Sequence, residues 1–147
     1  MLSRLQLDEL STFVPGQLIR TSVQPQVSVT QLAFYCAAVG VTDPIHYDRA
    51  FAREAGFADA VVNGSLRVAW MAQALHELVL PRGWLTRLQC SHRGLMLAGE
   101  TPCIEIRYQS HTIGPAGTQI ELAVQTAVAG RPCDTGEATV FTPPVAS

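Results

Sequence analysis

Gly40-Val41-Thr42-Asp43-Pro44-Ile45-His46-Tyr47-Asp48, then Ala55-Gly56-Phe57, then Val61-Val62-Asn63-Gly64, carry the densest chemistry in the chain. One histidine and two aspartates fall within six residues, on a loop between two helical patterns. Loops on a rigid scaffold are where reactive groups concentrate. A histidine beside a carboxylate can move protons near neutral pH. The helix start after Asn63 presents unpaired N–H groups that can hold a developing oxyanion. A base together with an oxyanion donor is what proton abstraction next to a thioester carbonyl requires. The same residues also read as a capped loop, with Asp43 a turn residue before Pro44 and His46 a cap or core hydrogen-bonder.

Outward from this stretch, the pattern is helical before and after it, then alternating. Ser11 to Gly16 reads as a turn into a strand, Gln17 to Val23. Ser28-Val-Thr-Gln31 resembles a capping box. It starts a helix from Val29 to Val39, with Leu32, Tyr35, Cys36 and Val39 at helical spacing and Gly40 as its stop. Asp48 caps a short helical piece that Gly56 closes. Asn63-Gly64 opens the longest helical pattern, Ser65 to Val79, which Pro81 and Gly83 end. Its apolar residues, from Leu66 through Val68, Ala69, Met71, Ala72 and Leu75 to Val79, spread over more than one stripe, which predicts burial on most sides.

In the second half, Trp84, Leu88 and Cys90 share one face of a strand. Ile104, Ile106 and Tyr108 share a face of the next, Ile120, Leu122 and Val124 of a third, and Ala138 and Val140 of a fourth. Turns are expected at Gly94, Gly99, Gly114-Pro-Ala-Gly117 and Gly130-Arg-Pro132. Three or four such strands in sequence form an antiparallel meander. A long helix followed by a curved antiparallel sheet is an α+β architecture, here expected as a single domain over residues 1–147.

Composition narrows the function classes. The chain is 48% hydrophobic and 15% charged, with net charge −2; this predicts apolar surface covered by a partner subunit. Its ten basic residues are all arginines, and they are scattered, so nucleic acid is not an expected partner. Cys36, Cys90, Cys103 and Cys133 form no CxxC pair, and read as reduced, small hydrophobes. No His/Cys/Asp/Glu set has metal-ligand spacing, and no Gly-rich phosphate loop occurs, so no metal and no nucleotide cofactor is expected. No apolar run is long enough to span a bilayer. Met1 to Leu10 lacks a secretory h-region, which makes the cytoplasm the default location.

Gly40, Pro44, Ile45, His46, Asp48, Gly56, Phe57 and Gly64 together resemble the motif of the MaoC-like (R)-specific enoyl-thioester hydratases and 3-hydroxyacyl-thioester dehydratases. That motif reads Gly-Asp-x-Asn-Pro-hydrophobic-His-x-Asp, then Gly-Phe, then His-Gly or Asn-Gly at the start of the central helix. Leu85 to Thr101 looks like the family's following strand, bend and Gly-Asp/Glu-Thr turn, and Gly136 to Val140 like its terminal strand. The resemblance spans nearly the whole chain and implies a hot-dog fold. It also implies a dimer in which two sheets join, either a homodimer or a heteromer with another hot-dog chain. Near the interface it implies a tunnel for an acyl thioester on coenzyme A or a carrier protein. By position, His46 inherits the catalytic histidine and Gly64 the oxyanion-donating N–H. Tyr47, Asn63, Trp70 and Met71 are candidates for substrate contact.

Two departures matter. The family's catalytic Asp, five residues before the histidine, is Val41 here, and the motif's Asn is Asp43. In one reading Asp43 replaces the lost carboxylate, and lyase chemistry, hydration or dehydration, survives. In a second the site performs isomerisation, cyclisation or conjugate addition with one acid/base. In a third the chain is a non-catalytic partner of an active hot-dog subunit. Thioester hydrolysis is a further rival. His76 on the long helix, and His92 and His111 on strands, read as surface, capping or core groups rather than catalytic ones.

Overall fold

The computed structural model of the protein describes residue 5 and residues 7–144. Residues 1–4 and 6, part of the N-terminal stretch read above for a leader, lie outside the described residues, as do residues 145–147. Five strands, β1 (Leu18–Val23), β2 (Trp84–His92), β3 (Pro102–Gly114), β4 (Gly117–Val128) and β5 (Arg131–Thr142), form one antiparallel sheet in the order β1-β3-β4-β5-β2. Three helices, α1 (Val29–Val39), α2 (Arg49–Glu54) and α3 (Gly64–Val79), lie between β1 and β2 in sequence.

Local chemistry sets the helix boundaries. Ser28 accepts the Gln31 N–H at the start of α1, and Gly40 ends it in the left-handed region at φ 73°. Asp48 accepts from the Ala50 and Phe51 N–H groups at the start of α2. Asn63 accepts from Ser65 N–H at the start of α3. Each cap satisfies donors that no helical carbonyl can reach.

The core lies between α3 and the sheet. Leu66, Trp70, Met71, Ala74, Leu75, Leu78 and Val79 meet Ile104, Ile106, Tyr108, Ile120, Leu122, Val124, Ala138 and Val140 in one buried cluster. Fully burying each large apolar side chain contributes about 1.5–3 kcal/mol. Bulges or irregularities interrupt the ladders near Leu18, Leu85, Tyr108 and Thr126. Bulges bend and twist strands, which lets a single sheet curve around one helix.

Four expectations need correction. Burial of α3 is one-sided: Ala69 is exposed and Val68 and Ala72 are half-buried, because only one face meets the sheet. Val39, at the end of α1, is also exposed. Of the three or four strands expected to form a meander, β3, β4 and β5 do so, while β2 leaves its neighbour in sequence and pairs with β5 at the opposite edge. Trp84 is 48% exposed, while Leu85, Leu88 and Cys90 pack against the core. The register shift between Leu85 and Arg87 explains this, because one extra residue inverts the alternation. The turn expected at Gly130-Arg-Pro132 is instead Ala129-Gly130, both at positive φ (48° and 80°), with β5 starting at Arg131. Two positive φ values are the requirement of the tight turn that matches strand twist.

Candidate active site

The loop from Gly40 to Gly64 is fixed by short-range bonds before it reaches any functional group. Asp43 Oδ1 accepts from Ile45 N–H (3.2 Å) and caps a single 3-10 turn, Pro44–His46. Tyr47 donates its hydroxyl to Thr42 O (2.9 Å). Arg49 pairs with Asp59 (3.1 Å), Val61 N–H bonds Ile45 O (2.9 Å), and Val62 N–H bonds Met96 O (2.8 Å). The turn bearing His46 is thereby tied to the segment that leads into α3.

His46 is half-buried, and its Nδ1 lies 2.7 Å from Val61 O. A carbonyl oxygen only accepts, so Nδ1 carries the hydrogen and Nε2 is the nitrogen left to exchange protons. Three residues after Val61, Gly64 opens α3, and among the described contacts its N–H has no acceptor. The Asp43 carboxylate is engaged by its cap, and no bond joins it to the His46 ring.

Of the remaining sequence candidates, Asn63 is buried with Oδ1 accepting from Ser65 N–H (2.8 Å) and from Ser65 Oγ (2.6 Å). Ser65 Oγ in turn accepts from the Tyr35 hydroxyl (2.8 Å). Trp70 and Met71 lie on the buried side of α3, Met71 with no exposed surface. His76 is exposed in the last turn of α3, and His111 Nδ1 lies 2.6 Å from the Tyr108 hydroxyl oxygen.

A second constellation at the same helix start escaped the sequence reading. Asp134, on β5, is fully buried. Both its oxygens accept from Arg67 of α3, Oδ2 from Nε at 3.1 Å and Oδ1 from Nη2. Arg67 also donates to Gly94 O (2.9 Å) and Cys133 O (2.8 Å). His92, directly opposite Asp134 across β2 and β5, brings Nδ1 to 2.6 Å from Asp134 Oδ1. Its ring rests on Gly64: a Cβ there would stand 2.8 Å from His92 Nε2. Two signals were present in the sequence. Arg67 interrupts the buried stripe of Trp70, Met71 and Ala74, and a charge on such a face needs a partner. His92 shares the strand parity of Leu88 and Cys90.

The four thiols are free, and burial raises the pKa of each. Among the described residues, no three or more His, Cys, Asp or Glu side chains group as metal ligands, and no helix is long and apolar enough to cross a membrane.

Known proteins carry the same architecture. An (R)-hydratase from A. caviae involved in PHA biosynthesis superposes with a TM-score of 0.77 at 19% identity, over 90% of this chain and 98% of that one. An R-hydratase from Pseudomonas aeruginosa, in unliganded form, gives 0.75 at 20% identity, over 94% and 91%. The ChsH1–ChsH2 complex from Mycobacterium tuberculosis gives 0.75 at 14% identity, over 88% and 98%. A search of curated proteins returns no significant match. At these identities the superpositions establish the hot-dog fold, and the family assignment comes from sequence. Residues 11–125 match the family described as MaoC like domain, and the chain therefore belongs to the MaoC-like hydratase/dehydratase family.

Proposed function

We propose that the protein is a single-domain lyase that adds water to an enoyl thioester and removes it from the 3-hydroxyacyl thioester. His46 is the acid/base and the Gly64 N–H binds the thioester oxygen. The observation that carries this is the join between the two: His46 donates Nδ1–H to Val61 O, three residues before an unpaired N–H at the start of a 16-residue helix. That bond puts the hydrogen on Nδ1 and leaves the Nε2 lone pair as the one that can exchange protons. The helix start stabilises negative charge as it develops on the carbonyl oxygen.

The cap bond of Asp43 favours a positional role for this carboxylate, holding the turn that presents His46. Asparagine caps as well as aspartate, so Asp43→Asn is expected to keep most of the activity. A loss of about 10²-fold or more, the range of a lost proton-transfer group, would instead make Asp43 the partner of His46. Tyr47 and Asn63 are assigned to the mouth of the acyl site by fixing its backbone, with Trp70 and Met71 packed in the core behind it.

The assembly is proposed as a dimer of hot-dog chains. The exposed apolar face of α1, with Phe34 74% accessible beside Ala33 and Ala37, supports covered surface there. The direct test is turnover of crotonyl coenzyme A and longer trans-2-enoyl thioesters by the pure protein. Activity that appears only on mixing with a second hot-dog chain would favour the partner-subunit reading.

A further inference from the structure

The ion pair between α3 and β5 is complete without a histidine. Arg67 serves both oxygens of Asp134, and the Nη2 that meets Oδ1 also donates to Gly94 O and Cys133 O. His92 nonetheless spends its Nδ1 on the same carboxylate, from a side chain that is 43% exposed while Asp134 is wholly buried. A buried acceptor that orients a half-open imidazole is the arrangement that fixes a tautomer: Nδ1 holds the hydrogen and Nε2 carries the lone pair. That lone-pair nitrogen lies against Gly64, at the place where any side chain would collide with it.

We propose that His92 is a second catalytic acid/base, positioned by Asp134 and Arg67 at the Gly64 end of α3. The inference rests on the thioester reading above. It fills the gap that reading leaves, a second proton-transfer group where the family's carboxylate position holds Val41. A thioester with its oxygen on the Gly64 N–H would set C2, one bond from the carbonyl carbon, beside the residue that His92 Nε2 packs against. In dehydration, His92 Nε2 takes the C2 proton and the C–H electron pair becomes the C2=C3 bond. The C3–O bond breaks, and the hydroxyl leaves as water with the Nε2 proton of His46, which enters this step as the imidazolium. His92 then loses its proton to solvent and His46 regains one, so the products are enoyl thioester and water. Hydration is the reverse.

The test is crotonyl coenzyme A hydration by wild type, His92→Gln, His92→Ala and His46→Ala, with melting temperatures measured in parallel. His92→Gln is expected to lower kcat by about 10²–10⁴-fold, the usual worth of general acid–base catalysis. KM and melting temperature should stay close to wild type, and free imidazole should restore part of the rate to His92→Ala. If His46→Ala is impaired while His92→Gln keeps wild-type kcat, the thioester reading stands and the role of His92 falls. A lowered melting temperature in both His92 variants, with no imidazole rescue, would make His92 structural and overturn the proposal. A wild type inactive on every trans-2-enoyl thioester would overturn the functional reading and this inference together.

Discussion

Gly64 is the residue that the His92 ring packs against, three residues beyond the carbonyl that holds His46, and its missing side chain is its contribution. Alanine there suits a helix better than glycine, but its Cβ would stand 2.8 Å from the His92 ring. That ring is half-open and can swing outward, so stability should be kept while geometry at the site is lost. Gly64→Ala is therefore expected to melt at or above the wild-type temperature and to lose about 10²-fold in activity, the scale of a displacement near 1 Å. Arg67 behaves oppositely. Removing it leaves Asp134 charged, buried and without its guanidinium, so Arg67→Met should cost about 3–5 kcal/mol in urea unfolding. The site was partly legible at this scale. His46 and Gly64 stood in a recognisable pattern, whereas His92 and Asp134 are 42 residues apart, and only strand pairing sets them opposite each other.

Elements follow their sequences where the determinants are local. Ser28 and Asn63 act as caps where read, and Ser28→Ala should cost about 1 kcal/mol, seen as a lower denaturation midpoint. Leu75, with no exposed surface at the centre of α3, should cost about 2–5 kcal/mol as alanine, through lost burial and the cavity left behind. The strands β3 and β4 were legible because their alternation runs unbroken through Ile104 to Tyr108 and Ile120 to Val124. Trp84 was misplaced because a bulge adds one residue and leaves no mark in composition. The edge position of β2 was equally invisible, since pairing with β5 is decided by how the whole sheet closes over α3.

Across the molecule, the thiols couple stability to pH. Burial raises the pKa of Cys36, Cys90, Cys103 and Cys133 above the ordinary 9.0. The folded state then holds thiol protons that the unfolded chain releases first. Stability is fully present below the ordinary thiol value and declines as pH rises past it. Urea midpoints should fall between neutral pH and about pH 10, and replacing Cys36 with alanine should flatten the fall. The arginine-only basic set leaves no lysine ionisation to compete in that window. The covered-surface expectation from composition belongs here as well: a sedimentation experiment on the wild type should give twice the 15.9 kDa chain mass, and Phe34→Glu should shift it toward the monomer.

The central claim is that His46 moves the proton in thioester hydration. Its most direct test is the steady-state rate of crotonyl coenzyme A hydration by wild type and by His46→Ala at equal folded concentration. The account predicts a measurable wild-type rate and a fall of about 10²–10⁴-fold in the variant, with unchanged melting. An active wild type matched by an equally active His46→Ala would contradict it.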